Sequence, residues 1–253
     1  MVKLLEAGDL RTLKETEEGK KVIELAELVR ELQKEWKAKG FKAKAVFQFF
    51  EAASDGNHTF IYSFEEAQRL RRAPAEPALS PKPLVSFDFP RQPKPNGLCL
   101  SDYLNPLGAP TPDNVCMFVV SAGEGIRPWA ERLKNNGEYL KSHVLQALAL
   151  ETAEAFAEHL HSQIRSMWGF ADPLGLTMLE RFQAKYRGKR YSFGYPACPV
   201  LDDQAQLFKV LTPQDIGVEL TEGFMMDPEA SVSAIVFHHP AATYYGVGEV
   251  ESN

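Results

Sequence analysis

A ten-residue segment near the end of the chain combines residue types that are suited to hold a small charged ligand. It covers residues 190–199 and reads RYSFGYPACP. Arg190 offers a planar guanidinium that can bind a carboxylate through two hydrogen bonds. Gly194 allows backbone conformations closed to other residues, and the two prolines fix φ and favour extended geometry before them. The residues alone leave two interpretations open: a site for an amino-acid-like anion beside an aromatic base, or a rigid surface turn with a solvated Arg190.

The composition disfavours several classes of partner and site. The chain has 253 residues, of which 44% are hydrophobic and 25% charged, and its formal net charge is −6. Nucleic-acid-binding proteins concentrate Lys and Arg, so no nucleic-acid partner is expected. Apolar runs are too short to span a bilayer and the first residues form no signal-peptide pattern, which predicts a soluble cytoplasmic protein without a membrane partner. Three cysteines without CxxC spacing disfavour a disulfide framework and a zinc site, and Cys198 is expected to be a packed side chain.

The rest of the sequence predicts the elements that must position residues 190–199. Apolar residues at helical spacing predict helices over residues 17–40, 129–169 and 202–211. Runs of β-branched and aromatic residues predict strands over residues 43–51, 59–63, 84–89, 114–121, 232–238 and 244–250. The first two strands flank a Ser-Asp-Gly-Asn turn typical of a hairpin. Because the strands do not alternate with helices, the predicted fold class is α+β, a twisted antiparallel sheet with long flanking helices.

Two motifs resemble the signature of a known family, the activation domain of cobalamin-dependent methionine synthase. The pattern R-x-x-x-G-Y-P-A-C-P matches at residues 190–199, and the pattern L-T-E-x-F-x-M-x-P-x-A-S-V-S matches at residues 220–233. Weaker similarity extends to residues 100–103, 153–169 and 237–245. The resemblance covers most of the chain from about residue 46 onward, and seven filled positions within ten residues make the first motif specific.

The resemblance implies a function and a set of binding residues. Such a domain binds S-adenosylmethionine and presents its methyl group to Co(I) of a corrinoid during reductive reactivation, as part of a methyltransferase. The family's motif arginine, motif backbone and tyrosine pair correspond here to Arg190, Gly194, Tyr195, Pro196, Ala197, Tyr244 and Tyr245. Tyr195 would lie closest to the cobalt, and the chain would supply neither a metal ligand nor an acid–base residue. Cobalamin would be held by a cobalamin-binding partner domain, and a flavodoxin-like or other reductase would supply the electron.

Departures from the family pattern keep two alternatives open. Residues 1–253 are expected to form a single activation domain that lacks the family's N-terminal tryptophan-rich segment, with its ligand-binding aspartate, and its C-terminal helix. The alternatives are a degenerate non-catalytic interaction module and a stand-alone reactivator of another corrinoid protein. A Rossmann-type methyltransferase and a serine hydrolase are disfavoured, because neither G-x-G-x-x-G nor G-x-S-x-G occurs.

Polar residues near the motif are weighed as structural or functional by their spacing. Glu154 lies in the long predicted helix and is more often a solvated surface residue than a ligand contact. His159 and His161 are two positions apart on that helix, so they are not expected to share a metal ion. Tyr244 and Tyr245 alternate along a predicted strand, so at most one is expected to face a groove fully.

Overall fold

The computed structural model describes residues 16–72, 82–111 and 113–247. Its α-helices in these ranges are α1 (Glu17–Ala38), α2 (Phe64–Arg72), α3 (Ile126–Asn135), α4 (Tyr139–Met167), α5 (Met178–Phe182) and α6 (Gln204–Val210). Its strands are β1 (Lys44–Asp55), β2 (His58–Tyr62), β3 (Val85–Asp88), β4 (Asp113–Ser121), β5 (Lys189–Tyr191), β6 (Glu219–Leu220), β7 (Met226–Asp227) and β8 (Ser231–Phe237). Short 3₁₀ helices lie at Leu100–Tyr103, Leu201–Asp203 and Pro213–Ile216. None of the described helices is long and apolar enough to cross a membrane.

Six of these strands form one antiparallel sheet in the order β3-β2-β1-β4-β8-β5. β1 pairs with β2 across a tight turn that contains Gly56 at φ 60°, and β1 pairs with β4 along its other side. β8 pairs with β4 and with β5, where Arg190 lies opposite Val236. The predicted hairpin and the antiparallel sheet are therefore confirmed, and β5 carries Arg190 at one end of the strand order.

Both faces of the sheet are covered by packed side chains. Successive residues of a strand point to opposite faces, so each strand contributes to both sides. On one face, α4 packs on β4 and β8 through small and branched residues that include Ala153, Ala157 and Ile164, all almost fully buried. The alanines allow the helix backbone to approach the sheet closely. On the other face, a second cluster of buried residues contains Phe87 and Phe237. Burial of each large apolar side chain contributes about 1.5–3 kcal/mol relative to exposure, so α4 is held in a fixed position on the sheet.

The long helical region predicted over residues 129–169 is two helices in the structure. α3 ends at Asn135 and α4 begins at Tyr139, with Gly137 between them at φ 81°. A positive φ is readily adopted by glycine and terminates a helix. The Ser142 hydroxyl then donates to the Ala130 carbonyl oxygen at 2.9 Å, which ties the two helices together. The predicted helical region is therefore interrupted at residues 136–138, which the sequence did not reveal because apolar residues recur at helical spacing on both sides of the break.

The strand predicted over residues 244–250 is not formed by its described part, residues 244–247, and residues 248–250 lie outside the described residues. This segment is fixed by isolated hydrogen bonds instead of a strand ladder. The Tyr191 hydroxyl donates to the Thr243 carbonyl oxygen at 2.7 Å, and Gln92 Nε2 donates to the Gly246 carbonyl oxygen at 2.7 Å. The Val247 amide donates to the Pro196 carbonyl oxygen at 3.2 Å. The segment therefore crosses beside β5 and the residues that follow it.

Candidate functional site

A cavity of about 560 Å³ lies where the end of β5, the turn that follows it and residues 244–246 meet α4. We call it the β5 cavity; its lining residues are Glu154, Arg190, Tyr191, Ser192, Tyr195, Pro196, Ala197, Cys198, Tyr244, Tyr245 and Gly246. Its volume lies in the range of sites for small molecules. Of the predicted site residues, only Gly194 is not part of the lining. The structure therefore brings together residues that are about 50 positions apart in sequence.

Gly194 shapes the turn that forms one wall of the β5 cavity. Its φ is 84°, and its amide donates to the Cys198 carbonyl oxygen at 2.8 Å. The Cys198 amide donates back to the Tyr195 carbonyl oxygen at 2.8 Å, which closes a compact loop. A Cβ atom at Gly194 would lie 3.2 Å from Leu201 Cδ1, so this position is restricted both by its backbone and by its neighbour. Gly194 therefore acts on the site through the backbone and not as a lining residue.

The residues of this loop divide between the interior and the surface. Ala197 and Cys198 are buried, and burial raises the pKa of the Cys198 thiol well above its ordinary value. The thiol is therefore protonated and packed, as the sequence predicted. Tyr195 is 61% exposed and Pro196 is also exposed, at the rim of the cavity. The loop thus presents an aromatic side chain outward from a rigid base.

Arg190 is held by two carboxylates of α4. Its Nη1 donates to Oε2 of Glu158, and its Nη2 lies 3.9 Å from Oε2 of Glu154. The Arg190 side chain is only 17% exposed. Burial by itself lowers the pKa of Arg190, but the Glu158 carboxylate, with smaller contributions from Tyr244 and Tyr186, outweighs this effect and the pKa is raised. The guanidinium is a permanent, fixed charge in the cavity wall, so the interpretation of a solvated surface arginine was wrong.

Tyr244 and Tyr245 both line the cavity but have different surroundings. Tyr244 is the more exposed of the two, and its ring lies edge-on to that of Tyr191 with 5.6 Å between ring centroids. Tyr245 packs against the buried cluster, and its hydroxyl has no hydrogen-bond partner among the described residues. Burial raises the pKa of both phenols, so both are neutral at physiological pH. Tyr244 is therefore the one that presents more of its ring, although the strand from which the alternation was predicted is not formed in residues 244–247.

Two glutamates of α4 belong to this site, although the sequence favoured a solvated role for Glu154 and did not single out Glu158. Glu154 is exposed but lines the β5 cavity beside Arg190. Glu158 is half-buried and also accepts a hydrogen bond from the Tyr186 hydroxyl at 3.0 Å. The two residues are four positions apart, which places them on one face of the helix. This spacing was the available signal, but their partner Arg190 is distant in sequence.

His161 is fully buried behind the site. Its ring meets that of Tyr186 edge-on at 5.4 Å between centroids, and neither ring nitrogen has a hydrogen-bond partner in the described part of the chain. Burial lowers the pKa of His161 well below its ordinary value, so the imidazole is neutral. Within the described ranges, no group of three or more His, Cys, Asp or Glu side chains is arranged to hold a metal ion.

A second cavity, of about 420 Å³, lies between α3, α4 and residues 228–230. We call it the α3–α4 cavity; it contains none of the predicted site residues. Arg127 in its wall pairs with Asp227, and both side chains are exposed. It therefore contrasts with the β5 cavity, where Arg190 is held by the half-buried Glu158.

An antiparallel sheet covered by a long helix, with a loop-walled cavity at the edge, defines an α+β domain with a cavity of the size that small molecules occupy. Comparison with known families identifies the family to which this domain belongs. The family model described as the activation domain of vitamin B12 dependent methionine synthase matches residues 5–253. This chain belongs to that family, as the sequence motifs predicted.

Individual relatives agree with this assignment. The chain is 31% identical over 215 residues to methionine synthase of Mycobacterium tuberculosis (strain ATCC 25618 / H37Rv) and 30% identical over 217 residues to methionine synthase of Mycobacterium leprae (strain TN). Each match covers 81% of this chain but only 17% of the relative, so the chain spans less than a fifth of their length.

A solved structure confirms the fold. The crystal structure of the MetH reactivation domain bound to AdoHcy superposes with a TM-score of 0.82 at 28% sequence identity. The match covers 95% of this chain and 72% of that chain. The predicted α+β fold of a methionine synthase activation domain is therefore correct.

Proposed function

We propose that this domain binds S-adenosylmethionine in the β5 cavity and presents its methyl group to Co(I) of a corrinoid held by another domain. Within cobalamin-dependent methionine synthase, this step would return an oxidised corrinoid to its methylated form. The observation that carries the proposal is the fixed charge of Arg190 in an aromatic cavity, in a chain whose structural neighbour is bound to AdoHcy. Residues 1–253 would act as one activation domain, with cavity and core on a single sheet.

The cavity offers a separate contact for each part of this ligand. Arg190 provides a fixed guanidinium for the carboxylate, and the exposed Glu154 carboxylate beside it suits the ammonium group. The rings of Tyr191 and Tyr244 and the backbone of residues 195–197 offer apolar surface and polar backbone groups to the adenosine part. Charge and shape thus favour a zwitterionic amino acid joined to an aromatic group.

In this proposal, the chain contributes to the reaction by aligning the methyl donor with the cobalt. In the proposed transfer, Co(I) held by the partner domain would supply the electron pair for the new bond to the methyl carbon. The carbon–sulfur bond of the sulfonium would break and the sulfur would keep the electron pair of that bond, which would leave S-adenosylhomocysteine. No proton moves, so no side chain of this chain acts as an acid or base. The domain contributes by holding the sulfonium in one orientation, which lowers the entropic cost of the reaction.

The proposed partners follow from the same assignment. A cobalamin-binding domain would dock at the cavity rim, where Tyr195 and Tyr244 are exposed, and Tyr195 would approach the cobalt. The electron that generates Co(I) would come from a flavodoxin-like or other reductase. We propose a cytoplasmic setting, without a nucleic-acid or membrane partner.

Calorimetric titration with S-adenosylmethionine and S-adenosylhomocysteine tests the proposal. Arg190→Ala should weaken binding of both by at least about tenfold, because a charge-assisted pair contributes about 1.5–3 kcal/mol. Arg187→Ala is the matched control, because Arg187 is exposed, stacks on Phe170 and does not line the cavity. A folded wild-type protein that binds neither ligand would refute the proposal and favour the interaction-module alternative.

A further inference from the structure

A series of alternating charges runs from the β5 cavity into the protein. Glu158 binds Arg190 on one side, and its Oε1 lies 3.7 Å from Nη2 of Arg165 on the other. Arg165 is only 1% exposed and donates through Nε and Nη2 to Asp172 at 2.6 and 2.8 Å. Asp172 is 5% exposed and also accepts from Arg181 at 2.6 Å. Glu158 is therefore the link between the cavity arginine and an interior ion-pair network.

Tyr186 holds Glu158 from a further direction. The Tyr186 hydroxyl donates to the same Oε2 atom that accepts from Arg190. The guanidinium of Arg165 lies over the Tyr186 ring, 3.7 Å from its centroid, which fixes the ring in turn. Because ions that leave water need several well-placed partners, Glu158 has little freedom to change its position.

We propose that Glu158 is a positioning residue for ligand binding, which holds the Nη1 end of the Arg190 guanidinium against α4 so that the rest of the fork faces the ligand carboxylate. This inference rests on the proposed function of the β5 cavity. A side chain that is fixed before binding loses less conformational entropy when the ligand arrives. The advantage applies only to ligands whose carboxylate uses Arg190.

Glu158→Asp separates positioning from charge. The shorter side chain keeps the negative charge but withdraws the carboxylate by one methylene, so Arg190 loses its fixed orientation while the electrostatic potential changes little. We expect S-adenosylhomocysteine to bind roughly three- to tenfold more weakly, as expected when one flexible side chain must be ordered on binding. 5′-Methylthioadenosine, which lacks the amino-acid part, should bind with unchanged affinity.

The control variants isolate the role of Arg190. Glu151→Asp makes the same change at an exposed position of α4 and should alter neither affinity. In an Arg190→Ala background, Glu158→Asp should have no further effect on S-adenosylhomocysteine. Equal weakening of both ligands would show a merely structural role and overturn the inference, as would unchanged affinity for S-adenosylhomocysteine.

Tyr186→Phe tests the positioning role of Glu158 if Glu158→Asp does not fold, because it removes only the hydroxyl that donates to Glu158. It should weaken S-adenosylhomocysteine by a smaller factor and leave 5′-methylthioadenosine unchanged, and no difference from wild type would overturn the inference. Wild-type protein that binds neither ligand would refute the proposed function itself. If Arg190→Ala weakens S-adenosylhomocysteine binding but the Glu158 and Tyr186 variants do not, only the positioning role is refuted.

Discussion

α4 borders two cavities of comparable volume, and they differ in how their charged groups are held. In the α3–α4 cavity, the lining residue Arg127 pairs with Asp227, and both side chains are exposed. In the β5 cavity, Arg190 is bound to Glu158, which leads on to the buried Arg165. Preorganised charge in a partly dehydrated site acts more strongly on a ligand than the same charge in water. Volume alone therefore does not distinguish the two cavities, whereas the buried partners that hold Arg190 do.

The largest effect on the free energy of unfolding is expected in the buried ion-pair network behind Glu158. Asp172→Asn removes the carboxylate that accepts from Nε and Nη2 of the buried Arg165, and leaves it only the Glu158 carboxylate, whose Oε1 lies 3.7 Å from Nη2. Removal of one partner from a buried pair costs about 3–5 kcal/mol. Urea denaturation should show this loss in the free energy of unfolding. Arg181→Gln serves as the control, because Arg181 is more exposed and its loss leaves Asp172 still paired to Arg165. A loss below about 1 kcal/mol for Asp172→Asn, as typical of surface pairs, would show that the network does not stabilise the fold.

The neutral His161 predicts a pH dependence of stability. Burial, together with the positive charges of Arg165, Arg190 and Lys189, lowers the pKa of His161 in the folded state. The unfolded chain then binds a proton that the folded protein does not, so stability is complete above the ordinary pKa of 6.5 and is lost as the pH falls below it. Each pH unit below that value should cost about 1.4 kcal/mol until the folded pKa is reached.

His161→Phe should remove this slope, because a buried ring without hydrogen-bond partners among the described residues can be replaced by an apolar one. Denaturant midpoints between pH 4.5 and 7.5 measure the difference between the two proteins. His143→Phe, an exposed position in the wall of the α3–α4 cavity, should retain the wild-type slope. Parallel pH profiles for wild type and His161→Phe would contradict the assignment of a buried neutral imidazole.

Two glycines with similar backbone geometry offer a sharper comparison of site and scaffold. Gly194 has φ 84° beside the β5 cavity, and Gly137 has φ 81° between α3 and α4. Substitution by alanine at either position should cost about 1–2 kcal/mol, because left-handed geometry is unfavourable for a residue with a Cβ. Only Gly194→Ala should also weaken S-adenosylhomocysteine, since its Cβ would press on Leu201 and displace the loop. Equal ligand affinities for both variants would show that the loop conformation is not part of the site.

The sequence predicted more of the fold than of the contacts that hold the site residues in place. Alternating apolar residues and the turn at Gly56 were sufficient for the hairpin and for strands β3, β4 and β8, because those signals are local, but the short edge strand β5 was not predicted. Residues 244–247 were wrongly predicted as part of a strand, since hydrogen bonds from Gln92 and Tyr191 fix this segment and neither residue is a neighbour in sequence. The motif arginine was found from its own residue type. Its partner Glu158 lies 32 positions earlier, where the helix pattern carries no sign of the contact.

The smallest effect is expected at the exposed pair of the α3–α4 cavity. Asp227→Asn removes the carboxylate that accepts from Arg127, but both side chains are exposed and remain solvated after the change. Exposed pairs contribute about 0–1 kcal/mol, so the free energy of unfolding should change by no more than this, and added salt should reduce the difference further. The affinity for S-adenosylhomocysteine should be unchanged. A loss of ligand affinity as large as that of Arg190→Ala would contradict binding in the β5 cavity, because Asp227 is not among the residues that line it.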